Sequence, residues 1–275
     1  MALTLYDMHT HTECSHDSRQ PIDELCAAEL AAGMTGVAVT DHSDTPYGHE
    51  NGDFARLAQS IRNSRAAAQK YAGQLEVLCG VELGEELWSG ENARIVHELG
   101  EYDVILCSIH GQREEGRCVY GGRDFLHWSD GQLESYLRQY LYDLGEHAER
   151  ADYDILAHLD LPLRYITGKA GRTLDLWCCA ELVDEVLRTV IRRGKTLEVN
   201  TSGLAAGWRC MPDMDVLQRY YELGGRRISV GSDAHSSANA AGGLAAAAER
   251  LQVIGFTHQT IYRRRQPVEI PFCTQ

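Results

Sequence analysis

Short apolar, strand-like runs alternate with helix-like segments along this chain, and most of the runs end in an acid or an imidazole. The runs cover residues 3–8, 36–40, 75–81, 104–109, 155–157, 196–200 and 227–231, and helical periodicity covers 22–32, 53–71, 132–150, 174–193, 213–223 and 238–251. Glycines at 33, 73, 194 and 224–225 follow the helical patterns where a C-terminal cap is expected. Alternation of this kind calls for parallel strands joined by right-handed crossovers, either as an open doubly wound sheet or as a closed barrel. The strand ends decide between them. A doubly wound sheet gathers its site at one switch point, whereas here nearly every run ends in a ligand-type group, the pattern of a barrel with its site on the C-terminal face. The seven runs predict an α/β fold, a distorted, TIM-like (β/α)7 barrel, and 275 residues at 44% hydrophobic content fit one domain spanning 1–275.

Two stretches break the alternation. Residues 111–129, with Arg113, Arg117, Tyr120, Arg123 and Trp128, read as one long loop and residues 161–172 as another, both candidate substrate loops. The run Arg263-Arg264-Arg265 lies beyond the last expected strand and helix and reads as a solvated or interface face.

Charge and cysteine usage narrow the function classes. The formal charge of −14, from 26 Lys+Arg against 40 Asp+Glu, opposes binding to long nucleic acid or to an anionic membrane face. A small anion stays open, because bound cations reverse the local field. The nine cysteines are scattered, with only Cys178 and Cys179 adjacent, and read as reduced cytosolic thiols rather than a disulfide framework or zinc module. The N-terminus enters a strand pattern at once without a signal core, and no stretch approaches ~18 uninterrupted apolar residues. A cytoplasmic protein without a membrane partner is the expectation.

His9 and His11 alternate on a strand, so both imidazoles point to one side and can reach one cation. Alone, such a pair is as often an ordinary pair of core or surface histidines. Asp17 also reads as a turn or cap acid before the helix at 22, and His16 is its rival as a ligand. Glu82 says more, since a carboxylate directly after Cys79-Gly80-Val81 has no exposed helix face to explain it. His42, His110 and His158 each close an apolar run, and Asp233 and His235 repeat the one-apart spacing at the last run. Nine such positions exceed what one four- or five-coordinate cation can use, so the count points to two or three divalent or transition metal ions sharing carboxylates. Mixed imidazole and carboxylate ligation suits zinc, manganese or iron.

The segments His9-Thr-His11-Thr, Thr40-Asp-His42, Gly80-Val-Glu82, His110, His158-Leu-Asp and Gly231-Ser-Asp-Ala-His235, in this order over nearly the whole chain, resemble the polymerase and histidinol phosphatase (PHP) family of metal-dependent phosphoesterases. Residues 157–165 and 198–204 resemble its histidinol-phosphatase branch in particular. The resemblance implies a distorted (β/α)7 barrel with a trinuclear site. It places His9, His11, Glu82 and Asp233 on a first metal, Glu82, His110 and His158 on a second, and Asp17, His42 and His235 on a third. Relatives carry a basic residue after the Thr201-Ser-Gly-Leu stretch, taken to help bind phosphate. Here Ala205-Ala206 follows instead, and Arg209 is the candidate substitute from the same loop.

The implied chemistry is phosphoryl transfer to a water activated by the metals, with the cluster neutralising charge on the phosphate oxygens. Arg164 is the candidate phosphate-binding guanidinium, while Asp160 and His235 are candidates for protonating the leaving group; Asp160 serves equally well as a carboxylate orienting His158. The leading expectation is a phosphomonoesterase acting on L-histidinol phosphate. A nucleotide or other small phosphate ester is the alternative substrate. An amidohydrolase, which would bridge two metals with a lysine after the fourth strand, and a non-catalytic PHP module are the remaining readings; the fourth run ends in His110, and no ligand position is lost.

Overall fold

Strand β1 (Tyr6–Thr10) opens a parallel sheet whose strands are buried on both faces, which is why they read as apolar runs rather than as alternating ones. The computed structural model describes residues 3–114, 117–121 and 123–273. The other strands are β2 (Gly36–Val39), β3 (His42–Asp44), β4 (Glu76–Gly84), β5 (Val104–Ser108), β6 (Gly111–Glu114), β7 (Arg117–Tyr120), β8 (Ile155–Leu156), β9 (Thr196–Asn200), β10 (Ile228–Gly231), β11 (His258–Arg263) and β12 (Gln266–Pro271). The order β1-β2-β4-β5-β8-β9-β10 makes a nearly closed barrel of seven parallel strands, with β3 continuing the line of β2 beside β4. Contacts between β10 and β1 bring the two edges together, and Thr10 bridges Ala234 in parallel. The expected α/β barrel is therefore what this chain folds into.

The helices pack outside with the apolar stripe their spacing predicts. In Ala180–Arg192 the buried positions are Val183, Val186, Leu187 and Val190, an i, i+3, i+4, i+7 series. Helix Asp130–Arg150 starts on a capping box, Ser129 Oγ accepting from Gln132 N while Gln132 Oε1 accepts from Ser129 N. Helix Gly90–Glu98, which the sequence reading leaves unassigned, buries only Ala93 and Val96 and so carries almost no periodic signal.

Both expected loops hold regular structure. Residues 111–114 and 117–120 pair as the antiparallel strands β6 and β7, and residues 161–169 form a helical turn, Leu161–Leu163, widening into a π-type turn, Arg164–Lys169.

The larger correction is at the C-terminus. Strands β11 and β12 form a hairpin that closes the lower end of the barrel: Ile261 and Tyr262 pack with Tyr6, Met8, Leu106 and Ile155, and Tyr262 Oη meets Thr196 Oγ1 at 2.8 Å. Arg264 and Arg265 form its two-residue turn with φ of 50° and 62°, a conformation for which Asn-Gly is the usual signal. Two arginines give no such signal, and the turn is held from outside instead. Asp103 Oδ1 accepts from Arg264 N and its carbonyl from Arg265 N, Arg263 pairs with Glu76 at 2.5 Å, and Arg265 pairs with Asp154 at 2.7 Å and Asp152 at 2.8 Å. The arginine run is thus a clamp on the barrel floor, not a solvated face.

Asp154 is almost wholly buried, so removing its partner strands a carboxylate. Arg265→Ala should cost about 2 kcal/mol, seen as a lower midpoint in denaturant unfolding with the slope unchanged; a midpoint equal to wild type refutes the clamp.

Candidate metal centre

The site sits at the C-terminal mouth of the barrel, and local backbone irregularities aim its side chains. In β1 the register with β2 runs Asp7 to Val37 and then Thr10 to Val39, so Met8 and His9 together oppose Ala38. This bulge changes the facing of the strand: Met8 stays in the barrel interior, while His9 and His11 meet the other ligand-type residues at the mouth. Between β2 and β3 the chain breaks at Thr40-Asp41, both of whose carbonyls accept from Glu82 N. Beyond the break His42 stands beside Glu82. His158 (φ 21°) and Asp233 (φ 54°) leave their strands in left-handed conformations that side-chain-bearing residues adopt only at a cost of order 1–3 kcal/mol. Gly231 is required for close approach, because a Cβ there would lie 2.5 Å from that of His9.

All nine expected ligand positions converge. His9 Nε2 lies 3.1 Å from His11 Nε2 and 3.2 Å from Glu82 Oε2, and His11 Nε2 lies 3.3 Å from Asp233 Oδ1. The second oxygen of the same glutamate, Oε1, meets His158 Nε2 at 2.8 Å and His110 Nε2 at 3.0 Å. Asp17 faces His235 Nε2 at 3.0 Å and His42 Nε2 at 3.7 Å, and His42 Nδ1 lies 3.0 Å from Glu82 Oε2. His16, the rival of Asp17, stacks obliquely on His42 at 5.1 Å and also lines the cleft.

A second layer orients the imidazoles. His9 Nδ1 is placed to donate to Glu198 at 2.5 Å, His11 Nδ1 to Ser15 Oγ at 3.0 Å, and His110 Nδ1 to Asp44 at 3.0 Å. Each leaves Nε2 facing the centre. Ser15 Oγ in turn donates to Asp41, which also accepts from Thr12 and Ser60. Glu85, beside Asp44, accepts from the backbone N of His110 and Gly111 and from Tyr120 Oη, and burial, then Asp44, pushes it up to about 7. Sequence reading singled out none of Glu198, Asp44, Glu85 or Asp41 for the site. Glu198 was within reach, since it interrupts a buried strand as Glu82 does; Glu85 has no such signature.

Electrostatics bind the cluster tightly. Burial opposes the charge on Glu82, yet His42, His110 and His9 hold its carboxyl well below the usual range. Burial together with His42 and His235 pushes His11 well below an ordinary histidine, so it is a neutral lone-pair donor. Burial likewise opposes charge on His9 and His110, but carboxylates hold both well above the ordinary value. Glu82 Oε2 and His42 Nδ1, although 3.0 Å apart, are not aligned for a hydrogen bond, and both are buried without another hydrogen-bond partner. Converging ring nitrogens, an unpartnered carboxylate oxygen and imidazoles crowded onto one glutamate fit divalent cations, which satisfy all of these at once.

The cluster floors an open cleft of about 660 Å3. Arg164 lines it, with Nη1 3.4 Å from Asp233 Oδ2. Asp160 and Arg209 do not line it. Arg209 stacks on Trp208 and pairs at 2.8 Å with the fully buried Asp160, whose carboxyl burial raises to about 6, so each occupies the other.

Comparisons with known proteins agree with this geometry. The PHP domain pattern matches residues 7–202. A probable histidinol-phosphatase of Thermotoga maritima is 27% identical over 259 residues, covering 94% of this chain and 95% of that protein. One of Clostridium acetobutylicum is 30% identical over 235 residues, covering 84% and 86%. The crystal structure of histidinol phosphate phosphatase from Lactococcus lactis, complexed with zinc, L-histidinol and phosphate, shares the fold with a TM-score of 0.76 at 20% identity, over 97% of this chain and 100% of that one. With its ligand-type residues in the family's order and gathered at one barrel mouth, this chain belongs to the PHP family of metal-dependent phosphoesterases.

Proposed function

We propose that this chain is a metal-dependent phosphomonoesterase that hydrolyses L-histidinol phosphate to L-histidinol and phosphate. The observation that carries the reading is Glu82, one buried carboxylate whose two oxygens face different sets of imidazoles, beside an open cleft that Arg164 lines. The relatives named histidinol-phosphatase support it because their similarity runs through nearly the whole chain. The chain acts as one domain, its last hairpin supplying Ile261 and Tyr262 to the same interior as β1.

Three groups of residues would hold the cations: His9, His11, Glu82 and Asp233; Glu82, His110 and His158; and Asp17, His42 and His235. Bound there, divalent cations supply a water of lowered pKa and neutralise charge on a phosphate. The protein's own part is preorganisation. Glu198, Ser15 and Asp44 hold the Nδ1 protons of three imidazoles, and Arg164 offers paired N–H donors to phosphoryl oxygens. Protonation of the leaving alcohol would fall to the cleft rim, where His16 stands outside the three groups, since Asp160 is sealed behind Arg209.

Elemental analysis of chelator-free protein should give more than one metal per chain, and Glu82→Gln should lose more metal than His235→Ala, because Glu82 faces two groups. One metal or fewer after supplementation refutes the shared cluster. Glu198→Gln should weaken metal binding roughly 10–100-fold with the fold intact by circular dichroism, the expected effect of an orienting partner. Removing the phosphate contact by Arg164→Ala should lower kcat/KM for histidinol phosphate about 100-fold at unchanged metal content, corresponding to about 3 kcal/mol; unaltered kinetics return Arg164 to its pairing with Asp233. In heavy-oxygen water the label should enter phosphate and not histidinol. Label in the alcohol means attack at carbon and excludes this chemistry.

A further inference from the structure

Besides imidazoles, the cationic side chains that line the cleft among the described residues are Arg164 and Lys169, the first and last residues of one π-type turn. At 3.6 residues per turn, positions five apart point roughly 140° away from each other. The wider turn removes that divergence. Ala170 N donates to Tyr165 O at 2.9 Å, an i to i+5 bond, so residues five apart fall on nearly the same side and both cations line one wall. Leu163 O, released from the ordinary pattern, accepts from Thr167 Oγ1 at 2.7 Å.

Lys169 lacks a carboxylate partner among the described residues. Its ammonium lies 4.7 Å over the Tyr165 ring, and the charge acting on it is that of Arg164, which, after burial, lowers its affinity for a proton. Two like charges facing one cleft repel unless an anion lies between them. Elsewhere on the cleft wall stand Ala205 and Ala206, which bring no charge. Arg209, the other arginine near the loop, is held by Asp160.

We infer that Lys169 is the second protein cation on the substrate's phosphoryl group, acting with Arg164 from the same wide turn. This rests on the phosphomonoester reading above. It gives a binding role to one residue of a stretch that the sequence marks only as a candidate substrate loop, and it explains why a π-type turn occurs where an α-helix would carry Lys169 away from the cleft.

The test uses inorganic phosphate as the probe, measured with metal-loaded protein both by calorimetry and as an inhibitor of ester hydrolysis. Lys169→Ala and Lys169→Gln should weaken phosphate binding about tenfold or more and raise KM with a smaller change in kcat, while Lys169→Arg stays within a few-fold of wild type. Metal content and thermal midpoint should not move, because Lys169 is exposed at the rim. Equal phosphate affinity in wild type and Lys169→Ala overturns the inference, and so does an equal loss in Lys169→Arg, which would assign the effect to packing of the turn. Failure of the substrate reading looks different: phosphate binding then still depends on Lys169, while histidinol phosphate is turned over no better than other monoesters.

Discussion

The barrel closes through backbone bonds made by the residues that carry the site. Asp233 N donates to His9 O at 2.7 Å, His11 N donates to Ala234 O at 3.0 Å, and Ser232 N donates to the carboxylate of Asp7 at 2.8 Å. Sheet closure and assembly of the first group of candidate ligands are therefore one structural event. Asp7 also accepts from His9 N at the bulge and lies against Glu29, whose Oε1 accepts from Ala241 N ahead of helix Leu244–Ile254. Burial, then Asp7, pushes Glu29 up to about 10, and burial raises Asp7 to about 6. Both shifts favour a proton held between the two carboxyls, which lets them coexist while they tie β1, β10 and two helices to the seam.

The same economy shapes the centre. Burying a carboxylate costs several kcal/mol unless opposite charge or hydrogen bonds offset it. Glu82 recovers that cost from the imidazoles gathered around it, while burial and the facing His42 and His235, stacked against His11 at 4.2 Å, keep His11 from taking up a proton. Neither component is stable buried alone, and together they leave polar atoms such as Glu82 Oε2 unpartnered. The site is held in this incompletely paired state by the strands beneath it and by the second layer of Glu198, Ser15 and Asp44.

Much of this was legible in the residues, for identifiable reasons. All seven barrel strands stood out because parallel strands buried on both faces make unbroken apolar runs, and every candidate ligand but Asp17 stood out because it lies at the end of such a run. Even β8, only two residues long, was marked by its apolar approach to His158. What escaped was governed by tertiary partners. The β11–β12 hairpin turns on two arginines whose left-handed conformations depend on Asp103, Asp152 and Asp154 from distant loops. Glu85 likewise has φ of 50° and gains its role only once β5 and β7 place His110, Gly111 and Tyr120 around it. The expectation that Arg209 replaces a missing cation failed to include Asp160, a competitor that only the fold brings to it.

The acidic balance of the chain and an anionic substrate are compatible because they act over different distances. Beyond a Debye length of roughly 8 Å the field of −14 formal charges is screened, so a small ester inside the cleft responds to the groups that line it. There the carboxylates of Glu82 and Asp233 are matched by imidazoles and by Arg164, and the cations this donor set accommodates would turn the local field positive. A polyanion differs in kind: one phosphate would reach the cleft while its neighbours lay across the acidic exterior. The charge that opposes long nucleic acid therefore carries little penalty for a monoester, and selection by size follows from electrostatics before any contact to the alcohol half is made.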